Sequence, residues 1–106
     1  MRQPIEVRNE LDANDNPDGG YVHGVGLRID WQKGPLGRGE DRLEPNGAFV
    51  ETVLAAALQR IEFYNAGKFR CRENSLAITH IEEAMHWLNH RTADREARQV
   101  EGTHST

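Results

Sequence analysis

Two stretches of apolar residues recurring every three or four positions constrain this chain more than any other feature. Val50, Val53, Leu54, Ala57, Leu58, Ile61 and Tyr64 repeat at helical spacing, and so do Ala77, Ile78, Ile81, Ala84, Met85 and Leu88. Each set occupies one broad side of an α-helix and has to be covered by something. Gly67 falls between them and is expected to end the first helix in the left-handed conformation. A short connection makes two such helices antiparallel neighbours, so the spacing predicts a two-helix hairpin from Asn46 to Arg98. Asn46 is the expected N-cap of the first helix, a polar side chain just ahead of the periodic run. The second helix is expected to begin near Arg72 or Glu73. At its far end, Thr92 either caps a short third helix from Ala93 to Arg98 or lies within one continuous helix.

The residues upstream of the hairpin read differently. Ile5 and Val7 alternate with Glu6 and Arg8, and Val25, Leu27, Ile29 and Trp31 alternate with polar or small residues, the period of half-buried strands. Between them, Asn14-Asp15-Asn16-Pro17-Asp18-Gly19-Gly20 is a cluster of turn formers and is expected to be loop. Gly34-Pro35-Leu36-Gly37-Arg38-Gly39 lacks the Gly-Lys-Ser/Thr ending of a phosphate-cradling loop, and reads first as a connector whose glycines permit tight turns and, alternatively, as a loop whose Arg38 borders a ligand site. The expected class is therefore α+β. A β-rich segment with a glycine-rich loop spans residues 1–45, and a helical hairpin with a polar tail spans residues 46–106. That tail, from Glu101 to Thr106, is expected to fray unless a partner holds it.

Composition sets limits on function. In 106 residues only 37% are hydrophobic, and the mean hydropathy is −0.76. A chain this short and polar builds only a small core by itself, which points to a homo-oligomer whose copies complete each other's apolar faces. The net charge of −4 argues against duplex nucleic acid as a partner, since such binding rests on neutralising phosphates. Cys71 is the only cysteine, which excludes an internal disulfide and a cysteine-based zinc site and suits a reducing cytoplasm. No apolar run is long enough for a membrane span, and Met1 to Glu10 lacks a signal-peptide core.

The chemistry concentrates on the second helix. Three arginines fall in the eight residues from Arg91 to Arg98. Arg91 and Arg95 lie one helical turn apart, about 6 Å between stems, and can grip a pyrophosphate or adjacent phosphodiesters. They can equally pair with Asp94, Glu96 and Glu101 in a solvated network. Asn74 extends the apolar stripe at the other end of the helix, where an amide needs a partner. Asn74 and Arg91 are about 25 Å apart along one helix, so they reach one small ligand only across an antiparallel pair of chains. Asn74 reads equally as a residue helping to cap its own first turn. Trp87, Phe63 and Phe69 are expected mostly in the core, and Tyr64 either there or stacked on a nucleobase.

Metal chemistry is the main competing reading. His80, Glu83 and His86 share one helix, and Glu83-Ala84-Met85-His86 matches the Glu-x-x-His element of di-iron bundles. Those bundles need two such elements and two further glutamates, which one chain does not supply. No metal site, cofactor or catalytic residue is assigned on this basis. The alternatives that stay open are a metal-dependent hydrolase using that helix face and a structural or DNA-binding protein.

Cys71-Arg72-Glu73-Asn74-Ser75-Leu76-Ala77-Ile78-Thr79-His80-Ile81-Glu82-Glu83-Ala84, then Trp87-Leu88 and Arg91-Thr92-Ala93-Asp94-Arg95-Glu96-Ala97-Arg98, resembles the phage anti-defence sponges. Gly26 to Gly39 and Pro45 to Glu51 resemble the Thoeris anti-defence branch of them, and the likeness runs roughly from Gly24 to His104. The resemblance implies a protein that is not an enzyme and that holds glycocyclic ADP-ribose intact between two protomers. By the same resemblance Asn74, Arg91 and Arg95 are the polar contacts and Tyr64 the residue stacking on the base. It further implies dimers that build hexamers, capture of the cyclic oligonucleotides of CBASS immunity by some members, and a place in the host bacterial cytoplasm. Met1 to Asp18 resembles nothing in that branch.

Overall fold

The structure, a computed structural model, describes residues 2–97, with side-chain surroundings as far as Asp94. It is α+β: three antiparallel strands followed by two helices. The chain divides into two compact units, one reaching Phe49 and the other starting at Val50. The expectations for Arg98 and for the 101–106 tail lie outside the described residues. No described helix is long and apolar enough to cross a membrane.

In the first unit, β1 (Glu6–Leu11), β2 (Pro17–Gly24) and β3 (Leu27–Asp30) pair in that order. Val7 stands opposite Val22, and Val22 opposite Ile29. Because side chains alternate along a strand, this register gathers the valines and isoleucine on one face. The other face carries the rows Arg8–Tyr21–Asp30 and Glu6–His23–Arg28. There Arg28 Nε donates to Asp30 Oδ2 at 3.1 Å, and Tyr21 stacks on His23 with ring centroids 4.2 Å apart.

Two sequence expectations need correction here. Val25 is not in a strand: Val25–Gly26 is the turn joining β2 to β3, and Val25 is exposed. The segment Asn14–Gly20 is only partly loop, because β2 already starts at Pro17. The true turn covers 12–16, where Asp12 Oδ1 accepts from the backbone N–H groups of Asn14 and Asn16 at 2.8 and 3.0 Å. Proline is tolerated at the first residue of a strand. Gly20 lies in the ladder because its φ is 123° and a Cβ there would sit 2.1 Å from the Arg8 carbonyl oxygen. A glycine that signals a turn in sequence is here the residue that lets two strands approach.

Beyond β3 the glycine-rich segment behaves as the expected connector. It leads into a short 3-10 turn, Gly39–Asp41, and encloses Leu36, the single buried apolar side chain among the described residues. Asn46 closes this loop and is not a helix cap. Its Oδ1 accepts from the Lys33 N–H at 2.8 Å, its Nδ2 donates to the Lys33 carbonyl at 3.0 Å, and its own N–H donates to Gln32 Oε1 at 2.9 Å. With both side-chain groups committed to Lys33, nothing of Asn46 remains for a helix that begins four residues later, at Val50.

The second unit is an antiparallel hairpin of α1 (Val50–Asn65) and α2 (Arg72–Ala97). Half-buried positions alternate by three and four: Leu54, Leu58, Ile61 and Asn65 on α1, and Asn74, Ile78, Ile81, Met85, Leu88 and Thr92 on α2. That is the spacing of a seam between two helices packed lengthwise. No residue of α1 is buried outright. Helix α2 runs through Thr92 to Ala97 without a break, so of the two readings the continuous helix holds.

The strand geometry makes a direct prediction. Gly20→Ala combines a strained φ with a clash against the Arg8 backbone, and thermal or chemical denaturation is expected to show a loss of about 1–3 kcal/mol. Gly26→Ala, whose added Cβ meets nothing within 4 Å, is expected to lose less.

Candidate functional site

The hairpin turn, residues 66–71, is held by side chains together with backbone bonds at Gly67, whose N–H donates to the Tyr64 carbonyl at 3.2 Å and whose carbonyl accepts from the Arg70 N–H at 3.3 Å. Gly67 lies in the turn but is absent from the positive-φ glycines, so the expected left-handed stop does not occur. Asn65, at the end of α1, does the work of closure. Its Oδ1 accepts from the Cys71 N–H at 3.1 Å, and its Nδ2 donates to Ser75 Oγ at 3.1 Å. The Cys71 thiol sulfur accepts from the Asn74 N–H at 3.4 Å, so this cysteine caps the first turn of α2. Asn74 caps nothing with its side chain. Its Nδ2 donates to the Phe69 carbonyl at 3.1 Å, and it is half-buried on the stripe where the sequence placed it.

This network gathers aromatic side chains at one end of the hairpin and leaves them in solvent. Phe63 is 60%, Tyr64 38% and Phe69 66% exposed. Tyr64 and Phe69 meet edge-on, with centroids 6.5 Å apart and planes at 82°. Arg60, one turn before Tyr64, donates from Nε to the Tyr64 hydroxyl at 3.0 Å, and its Cζ lies 4.9 Å from that ring's centroid. The expectation that Phe63, Phe69 and Trp87 are core is therefore wrong within one chain; Trp87 is 66% exposed. The reason is geometric. The seam uses Leu54, Leu58 and Ile61, and positions 63, 64 and 87 fall off it.

Of the expected ligand residues, the fold brings together Tyr64 and Asn74, which share Phe69 as a neighbour. Arg91 is elsewhere, about 25 Å further along α2 at about 1.5 Å per residue. It is exposed, and among the described residues it pairs with no carboxylate. Arg95 follows one turn later on the α2 backbone, with its side chain outside the described residues. Arg38 belongs to the first unit, exposed beside the 3-10 turn and already engaged there. Arg60 and Asn65 were missed. The signal for Arg60 was present in its four-residue spacing from Tyr64, the spacing of helical neighbours.

The helix face proposed for metal is differently used. His80 Nδ1 lies 3.7 Å from Glu83 Oε2, with both side chains largely in solvent. His86 instead packs edge-on against Trp87, centroids 5.4 Å apart. Among the described residues, no three metal-ligating side chains converge.

Comparison with known proteins adds two findings. The family described as Acb2/Tad1, hairpin domain, matches residues 23–93. A protein of Bacillus phage SBSphiJ7, named Thoeris anti-defense 1, is 51% identical over 59 residues, which cover 56% of this chain and 42% of that relative. The matched region thus spans less than half of the relative's length.

Asn65→Ala removes both bonds that close the turn. It is expected to lower stability by about 1–3 kcal/mol, read as a lower midpoint of helix melting by circular dichroism. Asn65→Asp keeps the acceptor for the Cys71 N–H and is expected to recover part of the loss.

Proposed function

The chain belongs to the Acb2/Tad1 hairpin family, and from that premise we propose that it is a phage anti-defence sponge for a cyclic ADP-ribose-type signal. On this reading it holds glycocyclic ADP-ribose without cleaving it, and so keeps the signal from the Thoeris effector. Cyclic oligonucleotides of CBASS immunity are a second ligand class that the family membership suggests.

The observation that carries the reading is the division of polar groups between the two ends of α2. Asn74 and the aromatic residues stand at its start, and exposed Arg91 about 25 Å away toward its end. A guanidinium pair and an amide-aromatic corner suit the phosphates and the base of one nucleotide. One chain cannot bring them to one small molecule, but two α2 helices packed antiparallel do so twice, by symmetry. Supporting this, the apolar residues Val50, Leu76 and Trp87 remain exposed on the hairpin, as expected of a surface that a second copy covers. The proposed contacts are thus Tyr64 and Asn74 from one protomer with Arg91 and Arg95 from its partner. Arg38, in the first unit, is proposed as a ligand contact in its own right.

Two experiments test this. Incubation with glycocyclic ADP-ribose, heat denaturation and chromatography are expected to return the ligand unchanged in stoichiometric amount. Conversion of more than one equivalent would favour a hydrolase over a sponge. Replacing both Arg91 and Arg95 by alanine is expected to abolish capture with helicity intact, each charged hydrogen bond contributing about 1.5–3 kcal/mol. Retained capture in that double variant overturns the assignment of the arginines.

A further inference from the structure

The aromatic residues at the hairpin turn contribute little to holding the helices together. Phe63 and Phe69 keep most of their surface in water, so their burial supplies only a fraction of what an enclosed ring would. Yet they are not loosely placed. Phe69 sits in the turn, and Asn74 fixes its carbonyl from α2. The Tyr64 ring is held by Arg60, whose Nε bonds the hydroxyl and whose guanidinium lies against both Phe63 and Tyr64, 5.1 and 4.9 Å from their centroids. Ordering an exposed arginine costs side-chain entropy that an isolated surface contact does not repay. What the arrangement does create is a right-angled corner. With the Tyr64 and Phe69 planes at 82°, a flat heteroaromatic ring laid on one wall presents its edge to the other. Aromatic quadrupoles favour both contacts.

We infer that Arg60 and Phe69 complete a nucleobase-binding corner around Tyr64. Phe69 is the second wall, and Arg60 is a positioning residue that acts through the Tyr64 ring and hydroxyl. The inference rests on the sponge reading and deepens it. Tyr64 alone, at the end of a helix, has rotational freedom that a stacked base would have to freeze. Arg60 freezes it beforehand, and preorganisation of this kind raises affinity by lowering the ordering cost of binding.

The test is calorimetric titration of the full chain with glycocyclic ADP-ribose, with assembly mass measured in parallel. Arg60→Gln is expected to weaken binding about tenfold, the scale of the ordering cost that the ligand must then meet for one side chain left free, Tyr64. Arg60→Lys is expected to restore little, because it keeps the charge but has no planar Nε donor for the hydroxyl. Phe69→Leu keeps apolar bulk but loses the π face, and is expected to weaken binding by about tenfold or more. Arg60→Gln combined with Tyr64→Phe is expected to cost less than the sum of the two, the mark of a residue acting through another. Melting temperature is expected to change little in all of them, which a purely structural role would not allow. If Arg60→Gln and Phe69→Leu bind like the unaltered chain while Arg91→Ala is impaired, the corner is refuted and the sponge stands. If the unaltered chain takes up no ligand, both fall together. Loss of capture that appears only with loss of assembly mass also overturns the proposal, since the corner is then a subunit contact.

Discussion

The half-buried seam between α1 and α2 is the contact on which the hairpin's other features depend. Leu54, Leu58 and Ile61 face the run from Ile78 to Leu88, and this one line of aliphatic side chains packs the two antiparallel helices together. It is narrow. Every seam residue keeps part of its surface accessible, and α1 buries nothing completely. A pair of helices sealed so lightly is short of the apolar burial that offsets chain entropy in a domain of this size. The narrowness also releases the remaining faces. Residues that a wider core would have consumed, from Val50 to Trp87, stay available to something outside the hairpin.

The turn converts that seam into a defined end. Asn65 ties the last turn of α1 to the first of α2, and Cys71 and Asn74 continue the network into the Phe69 backbone. These are short polar side chains bonding local backbone groups, the competition that disfavours them in helix interiors and favours them at helix ends. Their bonds fix the backbone from which Phe69 projects. Rigid elements set a recognition surface more accurately than loops do, and here a loop residue, Phe69, acquires rigidity from the helix beside it.

The helices were legible because period and length agreed: two runs of amphipathic spacing, each over ten residues, leave few alternatives. The three strands were half legible. Alternation marked Val7 and Ile29, but Pro17 to Gly20 carry turn chemistry and still lie in β2, because the close approach to Arg8 demands glycine. No local rule reports such a tertiary demand. Asn46 misled for a related reason. An amide ahead of an apolar run looks like a cap, whereas its partner is Lys33, thirteen residues back. In the candidate site, Tyr64 and Asn74 stood out by residue type and stripe position. Arg60 did not: its four-residue spacing from Tyr64 was a signal, but that spacing alone does not separate a ring partner from a solubilising charge.

A site divided between the ends of one long helix has a consequence for its own strength. On the proposed reading each ligand touches two chains, so a ligand that prefers the assembled state stabilises it by mass action. Affinity and assembly then become one equilibrium, and measured affinity falls when chain concentration falls below that needed for pairing. The narrow seam works in the same direction, because a hairpin with its outer faces uncovered gains most from a partner. Net charge sets the opposing limit: two chains of charge −4 repel before they meet, and a polyanionic ligand adds to that repulsion unless cations face it directly. On the proposed reading, Arg91 and Arg95 supply those cations where the partner's α2 begins in an antiparallel pair. On that reading the same residues favour both pairing and capture, so that removing their charge costs both.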